Sequence, residues 1–200
     1  MARTTDPDFD LAPFDPADTS AALTTAAALL EIYAPIVRDT AISFEREAPD
    51  AAEFAGRLAS FAATHSCWIA RDGDGPIGYA YAAAFRQRVC YDWSVETSVY
   101  LHPRARGRGL ARALMERVIA DCRRQGRRLA IAGIVLPTGC KRSRLHRAPC
   151  DPRLPENNRP SVELHERLGF RFVGRFKGVG SKFGRCYDVG FWQLPLGRGD

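Results

Sequence analysis

The segment SVETSVYLHPRARGRGLAR, residues 94–112, decides the fold predicted for this chain. Its first half alternates polar and apolar residues like a half-buried strand, and its second half is a basic glycine turn that leads into a helix. Such a turn leaves the first backbone N–H groups of the helix free to bind an anion. Gly107, Gly109 and Ala111 lack side chains that would obstruct those groups. The segment predicts a pyrophosphate site, with a tight turn before a solvated basic helix as the alternative.

Length and composition limit the class of protein. A chain of 200 residues with 46% hydrophobic content can bury one core, so we expect a single domain over residues 1–200. The formal net charge of +6 favours an anionic ligand. Polyphosphate cofactors fit better than nucleic acids, because the basic residues gather at one turn and one loop and are not interleaved with exposed aromatic residues.

The N-terminus and the cysteines indicate the compartment. The first ten residues, MARTTDPDFD, lack the hydrophobic stretch of a signal peptide, and no apolar run approaches the ~20 residues that span a bilayer. Six cysteines without repeated close spacing favour free thiols over a disulfide framework. We therefore expect a cytoplasmic protein that makes no membrane contact, with Cys67, Cys90 and Cys122 in its core.

Hydrophobic periodicity and turn signals predict an α/β fold. The predicted helices span residues 21–36, 50–63, 110–124 and 160–168, and the predicted strands span residues 9–14, 67–71, 78–86, 93–101, 129–136, 171–176 and 188–194, with 41–45 extended. A turn at residues 72–76 joins its flanking strands as a hairpin, and Gly126 and Gly169 end the two later helices. These elements predict one mixed sheet with helices on both faces.

Five motifs follow one another along the chain. They are Thr40-Ala41-Ile42-Ser43-Phe44-Glu45, Tyr91-Asp92-Trp93-Ser94-Val95-Glu96, Arg106-x-x-Gly109-x-Ala111, Ser161-Val162-Glu163-Leu164-His165-Glu166-x-Leu168-Gly169-Phe170 and Asp188-Val189-Gly190-Phe191-Trp192-Gln193. Together the chain resembles the GCN5-related N-acetyltransferases (GNAT), and within them the phosphinothricin and methionine sulfoximine N-acetyltransferases. The resemblance covers about residues 24–195 and implies the GNAT fold, a mixed and mostly antiparallel central sheet with helices on both faces.

The resemblance also implies acetyl-CoA as the cofactor. Its pyrophosphate would lie on Arg106, Gly107, Arg108, Gly109, Leu110, Ala111 and Arg112, the turn that already predicts an anion site. In this fold two strands splay apart, so the pantetheine arm would pair with the open edge at Ser98–Leu101, through Val99 and Leu101. Asn158 and Ser161 would contact the cofactor from the later helix.

The chemistry of acetyl transfer requires a base for the amine, donors for the thioester oxygen and a proton for the departing thiolate. By the resemblance Glu96, on the polar face of its strand, is the base, with a structural ion pair as the alternative. His165 stands where many relatives place a tyrosine acid, so it is a candidate acid, a second base or a structural histidine. The N–H after a strand bulge near Val99 or Tyr100 would polarise the thioester carbonyl.

The acceptor site implied by the resemblance combines apolar walls with polar anchors. The walls are Phe44 and Tyr91, and the anchors are Arg86, Arg88, Ser98 and Tyr100. The planar fork of arginine pairs with two oxygens of a carboxylate or phosphinate, which indicates an amino-acid-like acceptor. A strand edge protected by charge is the alternative interpretation of the two arginines. Trp93, Phe191 and Trp192 are expected in core or dimer packing.

One departure from the family is an atypical loop insertion at about residues 138–157. It adds about twenty residues, where a connection usually takes ~4 to 6, and its basic, proline-containing sequence predicts a surface loop. Cys140, His146 and Cys150 lack a fourth ligand and a recognised spacing, so no metal is expected. A lid, a partner-binding loop and a segment that weakens activity all stay open as its role.

The predicted function is direct transfer of acetyl from acetyl-CoA to the α-amino group of a small amino-acid-like acceptor, of the phosphinothricin, methionine sulfoximine or methionine sulfone type. One alternative is the same reaction on another small amine or an antibiotic. A second is a non-catalytic acyl-CoA-binding domain whose basic loop recruits RNA or a protein. The presence of Glu96, Arg106 and His165 together argues against the second alternative. The resemblance further implies a homodimer.

Overall fold

The computed structural model describes residues 9–136 and 158–197. Its strands are β1 (Asp10–Pro13), β2 (Ser66–Asp72), β3 (Gly75–Ala84), β4 (Ser94–Leu101), β5 (Leu129–Val135), β6 (Arg171–Lys182) and β7 (Arg185–Pro195). Its α-helices are α1 (Thr19–Asp39), α2 (Ala51–Thr64), α3 (Leu110–Arg124) and α4 (Arg159–Arg167), with short 3-10 helices at Val89–Tyr91 and Pro103–Ala105.

The strands form a seven-stranded sheet in the order β1-β2-β3-β4-β5-β7-β6. The pairs β1–β2, β2–β3, β3–β4 and β6–β7 are antiparallel, and the pair β4–β5 is parallel. The predicted α/β fold with a mixed, mostly antiparallel sheet is therefore confirmed.

The described residues divide into two compact units. The first contains residues 9–33, 49–131 and 195–197, and the second contains residues 34–48, 132–136 and 158–194. The single domain over residues 1–200 stays a prediction, and the predicted insertion at 138–157 lies outside the described residues.

In the first unit, α3 packs against β2, β3 and β4. The predicted stripe of Leu110, Leu114, Val118 and Cys122 is buried, because these residues recur every turn on one side of the helix. Gly126 follows the helix with φ of 73°, a left-handed conformation that glycine adopts without strain. The end of α3 is thus where the sequence predicts it.

Helix α1 corrects one expectation from the sequence. It has 21 residues, and an 18-residue window of it has a mean hydropathy of 1.5, so by length and composition alone it could cross a membrane. In the structure its side chains at helical spacing are buried; they are Ala22, Ala26, Leu29, Ile32, Tyr33 and Val37. Such a stripe is typical of a helix packed on a core, and the many alanines account for the high hydropathy of the rest.

In the second unit the small core contains Ala41, Val135, Tyr187 and Val189, against which Phe44 and Phe191 pack. Strands β6 and β7 form a longer hairpin than the predicted strands 171–176 and 188–194. The intervening sequence KGVGSKFG is rich in glycine and lacks alternation, so its strand character was not predictable from the pattern. The register shifts between Phe176 and Gly180, which further obscures the period.

Several local predictions are wrong. Residues 41–43 form bends and residues 44–45 belong to no strand, and β3 ends at Ala84, two residues before the predicted end. Cys90 is exposed on the 3-10 helix Val89–Tyr91, whereas Cys67 and Cys122 are buried as expected. Trp93 is 54% exposed, with the Arg128 guanidinium 5.1 Å from its ring centre, so it is not a core residue, and its alternative role in dimer packing stays a prediction. Trp192 is buried as expected.

Candidate active site

The glycine turn before α3 has the backbone conformation that an anion cradle requires. Gly107 and Gly109 have φ of 77° and 78°, and a Cβ at either position would have open space around it. Their left-handed φ, and not crowding by protein atoms, is what favours glycine there. Helix α3 begins at Leu110, and Ala113 donates its N–H to Gly109 at 3.1 Å. The N–H groups that precede Ala113 in this turn lie before the first hydrogen bond of the helix, so the helix itself offers them no carbonyl acceptor.

The arginines around this turn have different partners. Arg104 is paired with Asp72 at 3.0 Å and with Asp74 at 2.6 Å, which ties the β2–β3 turn to the 3-10 helix Pro103–Ala105. Arg112 is paired with Glu116 at 2.8 Å along α3. Arg106 is exposed and has no ion-pair partner among the described residues. Unlike those of Arg104 and Arg112, its guanidinium is not engaged by a carboxylate of the described residues and can pair with an anion.

Strand β4 is only partly paired with β5. Its register with β3 is unbroken from Val95 opposite Ala84 to Leu101 opposite Gly78. The register with β5 covers only Ser94–Glu96. At this point the buried Thr97 hydroxyl donates to the Ile131 carbonyl at 3.3 Å, so a side chain replaces the next ladder bond.

Beyond that bond, Ser98–Leu101 pair with β3 alone among the residues that the structure describes. Peptide groups on the unpaired edge can bind an extended ligand such as a pantetheine arm. The bulge predicted near Val99 or Tyr100 is absent from the β3–β4 pairing, because this register runs without a shift. The open edge of β4 thus arises from the end of its pairing with β5.

Glu96 lies at the last paired position of β4, opposite Ile131. Its side chain is half-buried, and no donor among the described residues hydrogen bonds to its carboxylate. Burial raises the pKa of the Glu96 carboxyl, and the charge of Arg86 opposes this shift. A carboxylate with a raised pKa and unused lone pairs is suited to accept a proton near neutral pH.

The segment after β3 carries three of the predicted acceptor residues. Arg86 lies over the Phe85 ring with 4.4 Å between its Cζ and the ring centre, and Tyr91 contacts the same ring edge-on at 6.0 Å. Arg86 and Tyr91 are thus brought to one aromatic side chain, and both are exposed. Arg88 is also exposed, and it immediately precedes the 3-10 helix Val89–Tyr91.

The remaining predicted residues of β4 are less accessible. Ser98, Val99, Tyr100 and Leu101 are half-buried. The Tyr100 ring packs against Tyr33 at 5.2 Å and Tyr79 at 5.3 Å between centres. This packing fixes the ring within an aromatic cluster, so only its polar edge could serve as the predicted anchor.

The predicted residues of α4 lie in the second unit. Asn158 is buried, and its side-chain amide donates to the Val135 carbonyl at 2.7 Å. This bond ties the start of α4 to the end of β5. It also uses the side-chain amide of Asn158, a residue that was expected to contact the cofactor. Ser161 uses its carbonyl to accept a hydrogen bond from His165 Nδ1 at 2.7 Å.

His165 is buried with its ring edge-on to Phe170 at 5.0 Å. A carbonyl only accepts, so the bond to Ser161 places the ring proton on Nδ1. The Nε2 atom is buried without a partner among the described residues. Burial lowers the pKa of His165, and the bond to Ser161 opposes this shift. The ring is therefore neutral near pH 7, which disfavours its interpretation as an acid and leaves Nε2 as an acceptor.

Two residues near Phe44 were missed by the sequence reasoning. Gly180 lies directly against the Phe44 ring, and the buried Lys182 holds the segment before Phe44 by hydrogen bonds. A lysine in a glycine-rich segment reads as a surface residue, so the sequence held no signal for this arrangement. Glu96, Arg86 and the glycine turn belong to the first unit, whereas Phe44, Asn158, Ser161 and His165 belong to the second.

Within the described residues, no group of three His, Cys, Asp or Glu side chains could hold a metal ion. Cys140, His146 and Cys150 lie outside those residues.

Comparison with known proteins places the chain in a family. Residues 20–190 match the sequence model of the acetyltransferase (GNAT) domain. The phosphinothricin N-acetyltransferase of Alcaligenes faecalis is 34% identical over 174 residues, covering 86% of this chain and 79% of that protein. The L-methionine sulfoximine/L-methionine sulfone acetyltransferase of Salmonella typhimurium is 32% identical over 174 residues, covering 85% and 88%.

Solved structures agree with the sequence comparison. A phosphinothricin acetyltransferase of Sinorhizobium meliloti in complex with acetyl-CoA superposes with a TM-score of 0.75 at 34% identity, covering 96% of this chain and 90% of that one. The yncA protein of Salmonella typhimurium, solved with its cofactor acetyl-CoA, has a TM-score of 0.78 at 27% identity and covers 96% of both chains. The chain belongs to the GNAT acetyltransferase family. Its similarity within that family is to N-acetyltransferases of phosphinothricin and methionine sulfoximine.

Proposed function

We propose that this protein transfers the acetyl group of acetyl-CoA to the α-amino group of a small amino-acid-like acceptor of the phosphinothricin, methionine sulfoximine or methionine sulfone type. The observation that carries the proposal is the course of β4. A half-buried, unbonded Glu96 lies where the pairing with β5 ends, an open strand edge follows, and the glycine turn follows that. The names of the related enzymes support the choice of acceptor.

In the proposed mechanism acetyl-CoA supplies the acetyl group as a thioester. The turn from Arg106 to Arg112 binds the pyrophosphate through its N–H groups and the Arg106 guanidinium. The edge from Ser98 to Leu101 pairs with the pantetheine arm. Glu96 accepts a proton from the acceptor ammonium, and the freed amine attacks the thioester carbonyl. A backbone N–H near Val99 or Tyr100 would donate to the carbonyl oxygen. As the C–S bond breaks, the attached nitrogen would lose its second proton and the departing thiolate would take up one proton, so that the products are the amide and the thiol of CoA.

The acceptor would be held by charge and by apolar contact. Arg86 and Arg88 bind oxygens of its carboxylate, phosphinate or sulfone, and Tyr91 and Phe44 border its carbon chain. Arg86 would have a second task, since its charge opposes protonation of Glu96. The same guanidinium thus links acceptor binding to the state of the base.

The test is formation of acetylated product from acetyl-CoA with a panel of acceptors, measured by mass spectrometry. The panel contains phosphinothricin, methionine sulfoximine, methionine sulfone, ordinary amino acids and an aminoglycoside. We expect the phosphorus and sulfur analogues to be acetylated fastest. Acetylation of the aminoglycoside alone would contradict the proposed acceptor class, and acetyl-CoA binding without any product would contradict the enzymatic function.

We also propose that the protein acts in the cytoplasm as a homodimer, without a membrane or nucleic acid partner. Support for the dimer comes from the edge strand β6. Its apolar side chains are more than half exposed; they are Phe172 (55%), Val173 (59%), Phe176 (57%) and Val179 (58%). An edge strand that exposes so much apolar surface favours coverage by another chain.

A further inference from the structure

Lys182, near the end of β6, is a buried lysine with only 8% of its surface exposed. Its ammonium group donates to the Ser43 carbonyl at 2.7 Å and to the Val37 carbonyl at 2.5 Å. These carbonyls lie in the last turns of α1 and in the segment that follows it, six residues apart in sequence. One side chain of the β6–β7 hairpin therefore joins the end of α1 to the residue next to Phe44.

Burial of a lysine amine is unfavourable unless strong acceptors compensate for the lost water. Here burial lowers the pKa of Lys182, and the carboxylate of Glu45 opposes this shift. Carbonyl oxygens accept from the amine, so the arrangement stabilises the 37–45 segment in one conformation. The ammonium group of an ordinary surface lysine would lie in water and would not donate to two backbone carbonyls.

Gly180, two residues before Lys182, is in contact with the ring of Phe44. A Cβ built at this glycine would lie 2.1 Å from Cζ of Phe44 and 2.3 Å from Cε2. Such distances are far inside van der Waals contact, so any other residue would displace the ring. The ring also lies near Tyr187, with 6.1 Å between centres.

Hydrogen bonds made by residues of the 37–45 segment add to its order. The Thr40 hydroxyl donates to the Ile36 carbonyl at 2.6 Å and accepts from the N–H of Ile42 at 3.1 Å. The N–H of Glu45 donates to the Ser43 hydroxyl at 3.3 Å. Phe44 itself stays half-buried, so its packing against Gly180 and the small core does not cover the residue completely.

We propose that Gly180 and Lys182 are positioning residues for acceptor recognition, because the β6–β7 hairpin fixes the Phe44 ring as a rigid wall. The inference rests on the proposed function, in which Phe44 borders the acceptor carbon chain. The contact with Gly180 and the hydrogen bonds of the buried Lys182 prevent the Phe44 ring from moving away from the acceptor. The site therefore does not admit a bulkier acceptor. The hairpin therefore limits the size of the acceptor without touching it.

The direct test is Gly180→Ala, compared with Gly174→Ala on the same strand. A Cβ at Gly174 meets no atom within 4 Å, so this control adds the same methyl group without contact. We expect Gly180→Ala to raise the KM for phosphinothricin about tenfold or more, with the KM for acetyl-CoA within twofold of wild type. The relative kcat/KM of phosphinothricin and a smaller amino acid should also change, which a general loss of folding would not cause. An unchanged acceptor KM, or an equal rise in both KM values, would overturn the inference.

A double-mutant cycle tests whether the effect passes through Phe44. In a Phe44→Ala background, Gly180→Ala should have no further effect on the acceptor KM, because the ring it displaces is gone. An undiminished effect in that background would contradict the proposed positioning.

The lysine is tested by Lys182→Met, with the exposed Lys177→Met on β6 as the matched control. We expect only Lys182→Met to raise the acceptor KM, and acetyl-CoA affinity measured by calorimetry should be retained. Equal effects of the two variants would overturn the role of Lys182. Failure of the proposed function itself would be distinguishable, because wild-type protein would then acetylate none of the analogues.

Discussion

At the residue scale, the catalytic proposal depends on one carboxylate whose surroundings come from several elements. The alternation of β4 is sufficient to predict that Glu96 is on the polar face of its strand. The rise in its pKa was not predictable, because it arises from burial by other elements and is opposed by the charge of Arg86, ten residues earlier. For His165 the sequence allows three roles, namely an acid, a second base or a structural residue. The hydrogen bond to Ser161 places the proton on Nδ1, so only a proton acceptor or a structural residue is left.

Replacing Glu96 by Gln removes the proposed base while preserving its shape. We expect kcat to fall by roughly 10² to 10⁴ with little change in acetyl-CoA affinity. The measurement is steady-state kinetics combined with calorimetric binding of acetyl-CoA. Glu53→Gln, at an exposed carboxylate of α2 paired with Arg57, serves as the control. Turnover that stays at the wild-type level in Glu96→Gln would rule out Glu96 as the general base.

The charge of Arg86 predicts a shift in the pH profile. The base must be ionised, so kcat should fall as the pH drops through the raised pKa of Glu96. Arg86→Gln removes the charge that opposes this rise, so the acid limb of log kcat should move to higher pH. The profile is measured at a saturating concentration of acceptor, so that weaker binding of the acceptor does not change the measured kcat. Arg88→Gln is the comparison, and an equal shift in both variants would contradict a specific effect of Arg86.

The same pKa shift has a consequence for stability. A folded-state pKa above the unfolded value means that folding favours the protonated carboxyl. Its contribution is present below the ordinary glutamate range and is lost as the pH rises through the folded pKa. At neutral pH the charged Glu96 therefore opposes folding, as expected of a residue kept for reaction chemistry.

At the element scale, the glycine turn and α3 were predictable because all their signals are local. The stripe of apolar residues, the glycines before the helix and Gly126 after it agree on one helix, and its observed bounds, Leu110–Arg124, equal the predicted ones. The β6–β7 hairpin was only half predicted, since its inner part depends on contacts with the 37–45 segment. The hydrogen bonds made by Lys182 are likewise long-range contacts, so no local pattern in the sequence predicts them.

Gly109→Val tests the cradle at the start of α3. The branched side chain would obstruct the N–H groups, so the KM for acetyl-CoA should rise tenfold or more while the acceptor KM changes little. Gly126→Val is a matched control, because Gly126 also has a left-handed φ and open space but lies at the other end of α3. Both variants should lose similar stability by thermal denaturation, and a rise in KM common to both would argue against the cradle.

Thr97→Val tests the hydroxyl at which β4 and β5 part. Valine keeps the shape but leaves the buried Ile131 carbonyl without this donor, so the free energy of unfolding should fall by about 1 kcal/mol. The measurement is urea denaturation of wild type, Thr97→Val and Thr97→Ser. Serine keeps a hydroxyl and should retain more of the stability. Unchanged stability in Thr97→Val together with a loss in Thr97→Ser would mean that packing of the methyl group, and not the hydrogen bond, matters.

At the scale of the whole molecule, the sheet ends in strand β6, whose exposed apolar side chains support the proposed dimer. Phe176→Asp would place a charge in this surface and should convert a dimer into a monomer. Leu23→Asp, at a leucine of α1 that is 42% exposed, makes the same change elsewhere and should leave the dimer intact. Sedimentation velocity distinguishes the states, and a monomeric wild-type protein would refute the proposed homodimer.

The family was predictable from the sequence because five motifs follow one another in the order expected for it. Recognition of the motifs needed no knowledge of how the units pack. The roles of single residues within those motifs needed the structure, as the buried amide of Asn158 illustrates. Sequence patterns report which residues are present, whereas hydrogen bonds decide which of their groups are still available.

The exposed cysteines have a practical consequence for anyone who measures this reaction. Cys90 and Cys186 are free and accessible, so a disulfide dye added to detect liberated CoA would also label the enzyme. Labelling at Cys90 would attach a bulky aromatic group beside Tyr91, at one of the proposed acceptor walls. A colorimetric assay would then consume dye without turnover and inhibit the enzyme during the reading. Chromatographic separation of the products avoids both artefacts.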